Sequence, residues 1–224
     1  IRYESERYGP SNYSIYMNKD YGNVKGYTFS LTKRYDPKTK TSAFVDYTYQ
    51  ITEGNSVNSG SFYYNALSGE EEEKRIVPLS WDQRHIFNTN VSIGDPGNWN
   101  IGIISKLSSG WPYTPNIPNA NYVPQPNSGR KPLQWRVDMR IHKNFILGKY
   151  NYILYAKIYN LLDRRNERYV FNDTGRAGYT YVFQSTQETQ GFKKHYGEPG
   201  VHQWSEYQVR PHYYTPPRSI NIGL

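Results

Sequence analysis

The stretch Leu133-Gln134-Trp135-Arg136-Val137-Asp138-Met139-Arg140-Ile141-His142 alternates apolar and polar side chains without a break. Successive side chains of a β-strand point to opposite faces, so this period of two places Leu133, Trp135, Val137, Met139 and Ile141 on one face. Gln134, Arg136, Asp138, Arg140 and His142 fall on the other. A strand with one apolar and one strongly charged face needs two different surroundings, one that hides hydrocarbon and one that solvates ions.

The same period recurs on both sides of this stretch. Residues 145–149 form a short turn into a strand with Tyr152, Leu154, Ala156 and Ile158 opposite Asn151, Tyr155, Lys157 and Tyr159. Upstream, over Tyr27–Tyr35, Tyr27, Phe29, Leu31 and Lys33 alternate with Thr28, Ser30, Thr32 and Arg34. The turn 36–40 then leads to Ala43, Val45, Tyr47, Tyr49 and Ile51 opposite Phe44, Asp46, Thr48 and Gln50. Phe87, Thr89, Val91 and Ile93 precede the turn 94–98, and Trp99, Ile101 and Ile103 follow it. A final segment carries Ile220, Ile222 and Leu224. Each pair of strands joined by a short polar turn reads as a hairpin. Between hairpins lie three long loops, at 53–80, 109–132 and about 163–217, rich in Pro, Gly and Asn.

Strict alternation of short turns with long loops predicts an all-β antiparallel transmembrane barrel: short turns at one end, long loops at the other, one strand face toward lipid and one toward a wet lumen. Composition agrees. Only 36% of the 224 residues are hydrophobic, yet 17% are aromatic, with 24 Tyr, 8 Phe and 5 Trp, a combination that suits an amphipathic sheet better than a disordered chain. No run of about 20 apolar residues exists, which excludes a helical membrane span and leaves a barrel open. The absence of cysteine excludes disulfides and thiolate metal sites. The formal charge of +8 is dispersed along alternating segments, which fits a basic surface near anionic lipid and not a nucleic-acid patch.

Seven strands, or eight if residues 13–17 supply another, leave open edges that hydrocarbon does not tolerate. The strands are therefore expected to be completed by others, and the whole of residues 1–224 to be one part of a larger barrel domain. With no initiator methionine or signal peptide ahead of Ile1, the start reads as cut or processed.

Four stretches carry a family resemblance: residues 20–27, Trp81-Asp82-Gln83-Arg84-His85, residues 136–140 with Lys143-Asn144-Phe145, and Tyr159-Asn160-Leu161-Leu162-Asp163-Arg164-Arg165-Asn166 followed late by residues 217–224. In order and spacing they resemble the C-terminal part of the barrel of a TonB-dependent outer-membrane receptor. The resemblance implies a 22-stranded barrel in the bacterial outer membrane, closed by an N-terminal plug domain that this chain does not contain. It implies import of a scarce nutrient, such as a siderophore, vitamin, glycan or peptide, driven through the inner-membrane TonB complex. The implied partners are the rest of the barrel and its plug, the TonB complex, lipopolysaccharide and membrane lipid, and a surface lipoprotein or other protein at the loops. Family members commonly finish on an aromatic residue, so Leu224 implies that a few residues follow it.

Candidate ligand-binding residues are the loop aromatics Phe62, Tyr63, Tyr64, Trp111, Tyr113 and Tyr122, whose rings could stack on a sugar or an aromatic siderophore. Loop self-packing and an outer aromatic girdle are the alternatives. Arg136, Asp138, Arg140 and His142 are assigned to the lumen wall. The run Glu70-Glu71-Glu72-Glu73 lacks the spacing of a calcium loop and reads as a solvated loop tip. His85, His142, His195, His202 and His212 show no zinc-site spacing. No cofactor or metal is assigned, and no nucleophile and oriented base assemble from these strands, so an enzyme is not expected. A structural or adhesive barrel, holding another protein or a surface polymer through the long loops, is the competing function.

Overall fold

A computed structural model describes residues 2–5, 9–12, 21–55, 75–116, 124–181 and 210–224. Strands β1 (Arg2–Ser5) and β2 (Gly9–Asn12) form a small antiparallel pair. The main sheet contains β3 (Gly22–Asp36), β4 (Thr41–Gly54), β5 (Val77–Pro78), β6 (His85–Asp95) and β7 (Trp99–Ser108). Beyond the short pair β8 (Pro112–Tyr113) and β9 (Gly129–Arg130), it continues with β10 (Gln134–Leu147), β11 (Tyr150–Tyr159) and β12 (Ser219–Gly223). Its path is β3-β4-β6-β7-β10-β11-β12, with β5 hydrogen-bonded to the loop end of β4. Every pairing is antiparallel and every long strand lies beside its sequence neighbour, so the sheet is a simple meander. It is open: among the described residues β3 and β12 each present one unpaired edge.

Register aligns the alternating residues into rows. Phe29 stands opposite Tyr47, Tyr47 opposite Phe87, Phe87 opposite Leu107 and Leu107 opposite Trp135, one predominantly aromatic row across five strands. Toward the short turns follow aliphatic rows, including Val91-Ile103-Met139-Ile158-Ile220 and Ile93-Ile101-Ile141-Ala156-Ile222. At the turn end the rings return, with Trp99, and with Phe145 stacked on Tyr152 at 5.6 Å between centroids. Lys33 and Lys143 also lie on this face, but at its turn end. The Lys33 ammonium reaches Thr39 Oγ1 at 3.2 Å, and that of Lys143 reaches Asn98, so both stems lie on apolar surface while the charge sits among turn residues.

The opposite face is polar and cross-linked. Thr28 and Thr48 hydroxyls are 2.9 Å apart, Ser30 donates to Asp46 at 2.9 Å, Asn100 donates to Ser92 at 2.6 Å, and Arg136 pairs with Asp138 at 2.9 Å. Phe44, Ile104, Ile146 and Ile153 are apolar exceptions on this face.

Among the described residues nothing covers the apolar face. Leu31 is 71% exposed and Ile222 73%, values that water would penalise in a soluble sheet. The buried apolar side chains among the described residues are Val77, Val137, Val170 and Ala177, all but Val137 in the loops at the end where the long connections gather. Val137, expected to stand bare like its neighbours, is instead 8% exposed. The Trp135 indole N–H donates to Ser105 Oγ at 3.0 Å, and Ser105 is the residue opposite Val137, so the ring leans along the strand over it.

Several strand boundaries differ from expectation: β3 begins at Gly22, five residues before Tyr27, and β4 runs to Gly54, into the loop expected from 53. The third turn is shorter than 145–149, because Phe145 and Ile146 still pair with Tyr152 and Asn151 and only Gly148, at φ +64°, and Lys149 turn the chain. Leu133 precedes its strand and is 45% exposed. Residues 13–17, the possible additional strand, lie outside the described residues.

Register has a direct test. Introduced into this cysteine-free stretch, Thr28→Cys with Thr48→Cys is expected to cross-link under mild oxidation, whereas Thr28→Cys with Tyr49→Cys is not, since a one-residue offset sends the two side chains to opposite faces. The reverse result would mean a slipped register.

Candidate functional site

Three long connections meet beyond the loop end of the sheet, and buried polar groups join them. The joint begins at Trp81-Asp82-Gln83-Arg84-His85. Asp82 is fully buried, and its carboxylate accepts from the Thr52 backbone N–H at 3.0 Å, from Arg84 Nε at 3.3 Å and from Arg130, whose guanidinium also donates to the Asp82 carbonyl. Burial alone would push this carboxyl up. The hydrogen bonds from Arg130 and Thr52 and the Arg130 charge outweigh it, and hold the group below the usual carboxylate range. Gln83, also buried, donates to Ser108 Oγ and to the Ser109 carbonyl, both at 3.2 Å. His85 then opens β6, with Nδ1 2.9 Å from the Tyr47 hydroxyl. Five consecutive residues thus tie the end of the first long loop to the second and start a strand.

Residues 159–166 make the corresponding joint for the third loop. Asn160 and Asp163 occupy the left-handed region, at φ 53° and 50°, which short polar side chains tolerate better than most. The Asn160 amide donates to the carbonyls of Arg164 at 3.1 Å and Pro216 at 3.0 Å, its carbonyl oxygen accepts from Arg164 N–H at 3.1 Å, and its own N–H donates to Asp138 at 2.8 Å. Asp163 accepts from the Arg218 N–H at 2.8 Å just before β12. Asn166 bonds Trp135 twice, accepting from its N–H at 2.9 Å and donating to its carbonyl at 2.8 Å, so a side chain replaces a strand beside β10. Glu167 accepts from Arg176 at 2.8 Å and from the Ala177 N–H at 2.5 Å, and its hydrogen bond, with its charge, raises the Arg176 guanidinium above its ordinary value.

Of the loop aromatics expected to meet a ligand, Trp111 is exposed at 44%. Tyr113 is committed elsewhere: its ring lies between Gly129 and Gly175, where a Cβ on either glycine would come within 2.5 Å of it. Burial, with the Asp173 carboxylate nearby, pushes its phenol up. It therefore packs the second loop against the third. Phe62, Tyr63, Tyr64 and Tyr122 lie outside the described residues, as do Glu70, Glu71, Glu72, Glu73, His195 and His202. Arg136, Asp138, Arg140 and His142 do share one face of β10.

The loops hold further aromatics that the sequence reading passed over. Tyr169 is flanked by the Lys131 ammonium at 5.9 Å and the Arg168 guanidinium at 5.4 Å, and burial lowers the Lys131 ammonium from its ordinary value. Arg210 lies 5.0 Å from the Phe171 ring and 5.2 Å from that of Tyr213. Among the described residues no group of three His, Asp or Glu side chains is placed to hold a metal. No family model, curated protein or solved structure matches the chain.

Chemically, a carboxylate with this many donors is a clamp. Asp82→Ala removes the carboxylate shared by Arg130, Arg84 and the Thr52 N–H and is expected to cost about 3 kcal/mol, read as a lower unfolding midpoint. Because the folded carboxyl titrates below the ordinary value of about 3.9, the stability it contributes is complete above about pH 5 and is lost as pH falls through the folded pKa. Proteolysis of the loops should rise along that limb in the parent protein, and Asp82→Asn should flatten it; an unchanged acid limb would remove Asp82 from this role.

Proposed function

We propose that the chain is the C-terminal part of a TonB-dependent receptor barrel and that the complete protein imports a scarce nutrient across the bacterial outer membrane. The observation that carries this reading is the height of the apolar face. From Trp135 in the loop-end row to Phe145 at the turn end is ten residues of β10. At about 3.4 Å each that is about 34 Å of strand, which at a tilt of 35–45° covers about 24–28 Å of membrane normal. An outer-membrane barrel needs an apolar band of about 25 Å with aromatic girdles at both margins.

On this reading the rows from Leu31 to Ile222 face lipid tails, Lys33 and Lys143 extend to the periplasmic interface, and the loop joints at Asp82 and Asn160 lie at the cell surface. Arg136, Asp138, Arg140 and His142 line the lumen. The open edges at β3 and β12 continue into the other strands of a 22-stranded wall, whose plug and TonB-contacting segment belong to the rest of the polypeptide. The resemblance of residues 81–85 and 159–166 to family motifs adds the transport function to the barrel.

Facing and function are separable by experiment. Ile103→Arg, between Val91 and Met139 on the apolar face, is expected to cost about 2–4 kcal/mol in lipid, whereas Asn90→Arg on the polar face is tolerated; equal losses would sink the facing. Deleting the complete gene in its own organism should abolish uptake of one scarce nutrient, and collapsing the proton gradient should stop that uptake in the parent. A deletion strain that keeps every uptake but no longer attaches to a surface polymer or protein partner would overturn import in favour of an adhesive barrel.

A further inference from the structure

The polar face is unevenly charged. On β3, β4 and β6 it carries Asp46, set among Ser30, Thr28, Thr48, Asn88, Asn90 and Ser92, and, at the turn end of β3, Arg34. On β7, β10 and β11 it carries Lys106, Arg136, Arg140 and Lys157, against the single carboxylate of Asp138.

Register sets these cations against one another. Lys106 stands directly opposite Arg136, and Arg140 directly opposite Lys157. Like charges facing each other across neighbouring strands destabilise a sheet. Asp138 relieves one of the two pairs, through its 2.9 Å contact with Arg136. Among the described residues no carboxylate lies within ion-pairing distance of Lys106, Arg140 or Lys157; Lys157 rests over the Tyr155 ring at 5.2 Å. The residue beside Arg140 on β7 is Gly102, which has no side chain to shield it. The two cation pairs are four residues apart on β10, about 14 Å along the strand.

We propose that this face is a two-rung cationic path that binds a solute bearing carboxylate or phosphate groups, the anion supplying the countercharge that the sheet lacks. The proposal rests on the import reading for its direction, because the rungs succeed each other along the strand and hence from the loop end to the turn end. Rings and ladders of Lys and Arg select anions in pores, and two separated rungs let an anion bind, advance and leave where one deep site would trap it. An acidic protein surface could also neutralise the cations, but it needs no succession along the strand.

The test uses the purified full-length protein and tripolyphosphate, with maltotriose as a neutral control. Calorimetry is expected to show tripolyphosphate binding that weakens between low and high salt, no maltotriose binding, and on the order of tenfold weaker tripolyphosphate binding in Arg140→Gln/Lys157→Gln. The same double variant should unfold at an equal or higher temperature, since it removes a like-charge pair, which a merely structural role for these residues would not give. Absent tripolyphosphate binding, or binding indifferent to the substitutions, overturns the path. So does a double variant whose barrel releases its plug to protease, because the countercharge is then protein. Energised uptake of a neutral nutrient without anion binding sinks the path and leaves import standing, whereas anion binding by a protein whose deletion alters no uptake does the opposite.

Discussion

Backbone pairing in a single register is the interaction on which everything else in this molecule rests. Because side chains alternate along a strand, each hairpin aligns its apolar residues with those of the next, and six successive pairings carry the apolar rows from Leu31 to Ile222. A slip of β10 by one residue would put Asp138 and Arg140 where Met139 and Ile141 now stand. The sheet tolerates few local compromises: a register shift between Lys33 and Asp36 falls at a turn, beyond the rows that matter. Hydrogen bonds contribute modestly in water, yet where no water competes an unpaired N–H or carbonyl costs several kcal/mol, so in the proposed lipid surroundings register would be enforced all the more strongly.

The loop end obeys a different physics. There the chain leaves the ladder, and side chains stand in for backbone partners: Asn166 for a strand beside Trp135, Asp82 for an acceptor at Thr52, Asn160 for partners of Arg164 and Pro216. Each substitute spares a buried polar group from going unpaired. The loops are thus tied to the sheet at a few points, which leaves rings such as Trp81 and Trp111 outward on a fixed base.

What could be read from the residue order follows from this division. The seven main strands were legible because period two is local, and their short turns announced themselves through Pro37, Gly94, Pro96 and Gly148. Sharing of one face by Arg136, Asp138, Arg140 and His142 was legible for the same reason. Their confrontation with Lys106 and Lys157 was not, since it depends on the register between strands. The Asp82–Arg130 clamp joins residues 48 positions apart, and nothing in either residue's neighbourhood names the other. For Tyr113 the choice between ligand contact and loop self-packing stayed open in the residue order, because its two glycine walls lie in different loops. The β1–β2 pair went unread, as four-residue strands containing Gly9 and Pro10 offer too few alternating positions.

The meander has a consequence for how the wall comes into being. Each long strand's neighbour in space is its neighbour in sequence, so no pairing in the main sheet waits for a distant part of the chain except across the long loops. The hairpins β3–β4, β6–β7 and β10–β11 close across short turns and are expected to form first, whereas β4–β6, β7–β10 and β11–β12 pair across the long loops and follow. The joints at Asp82 and Asn160 link segments that the paired strands bring together, and are expected to close late and to slow unfolding more than they speed folding. A nascent wall can then lengthen one hairpin at a time while its growing edge stays a single strand wide.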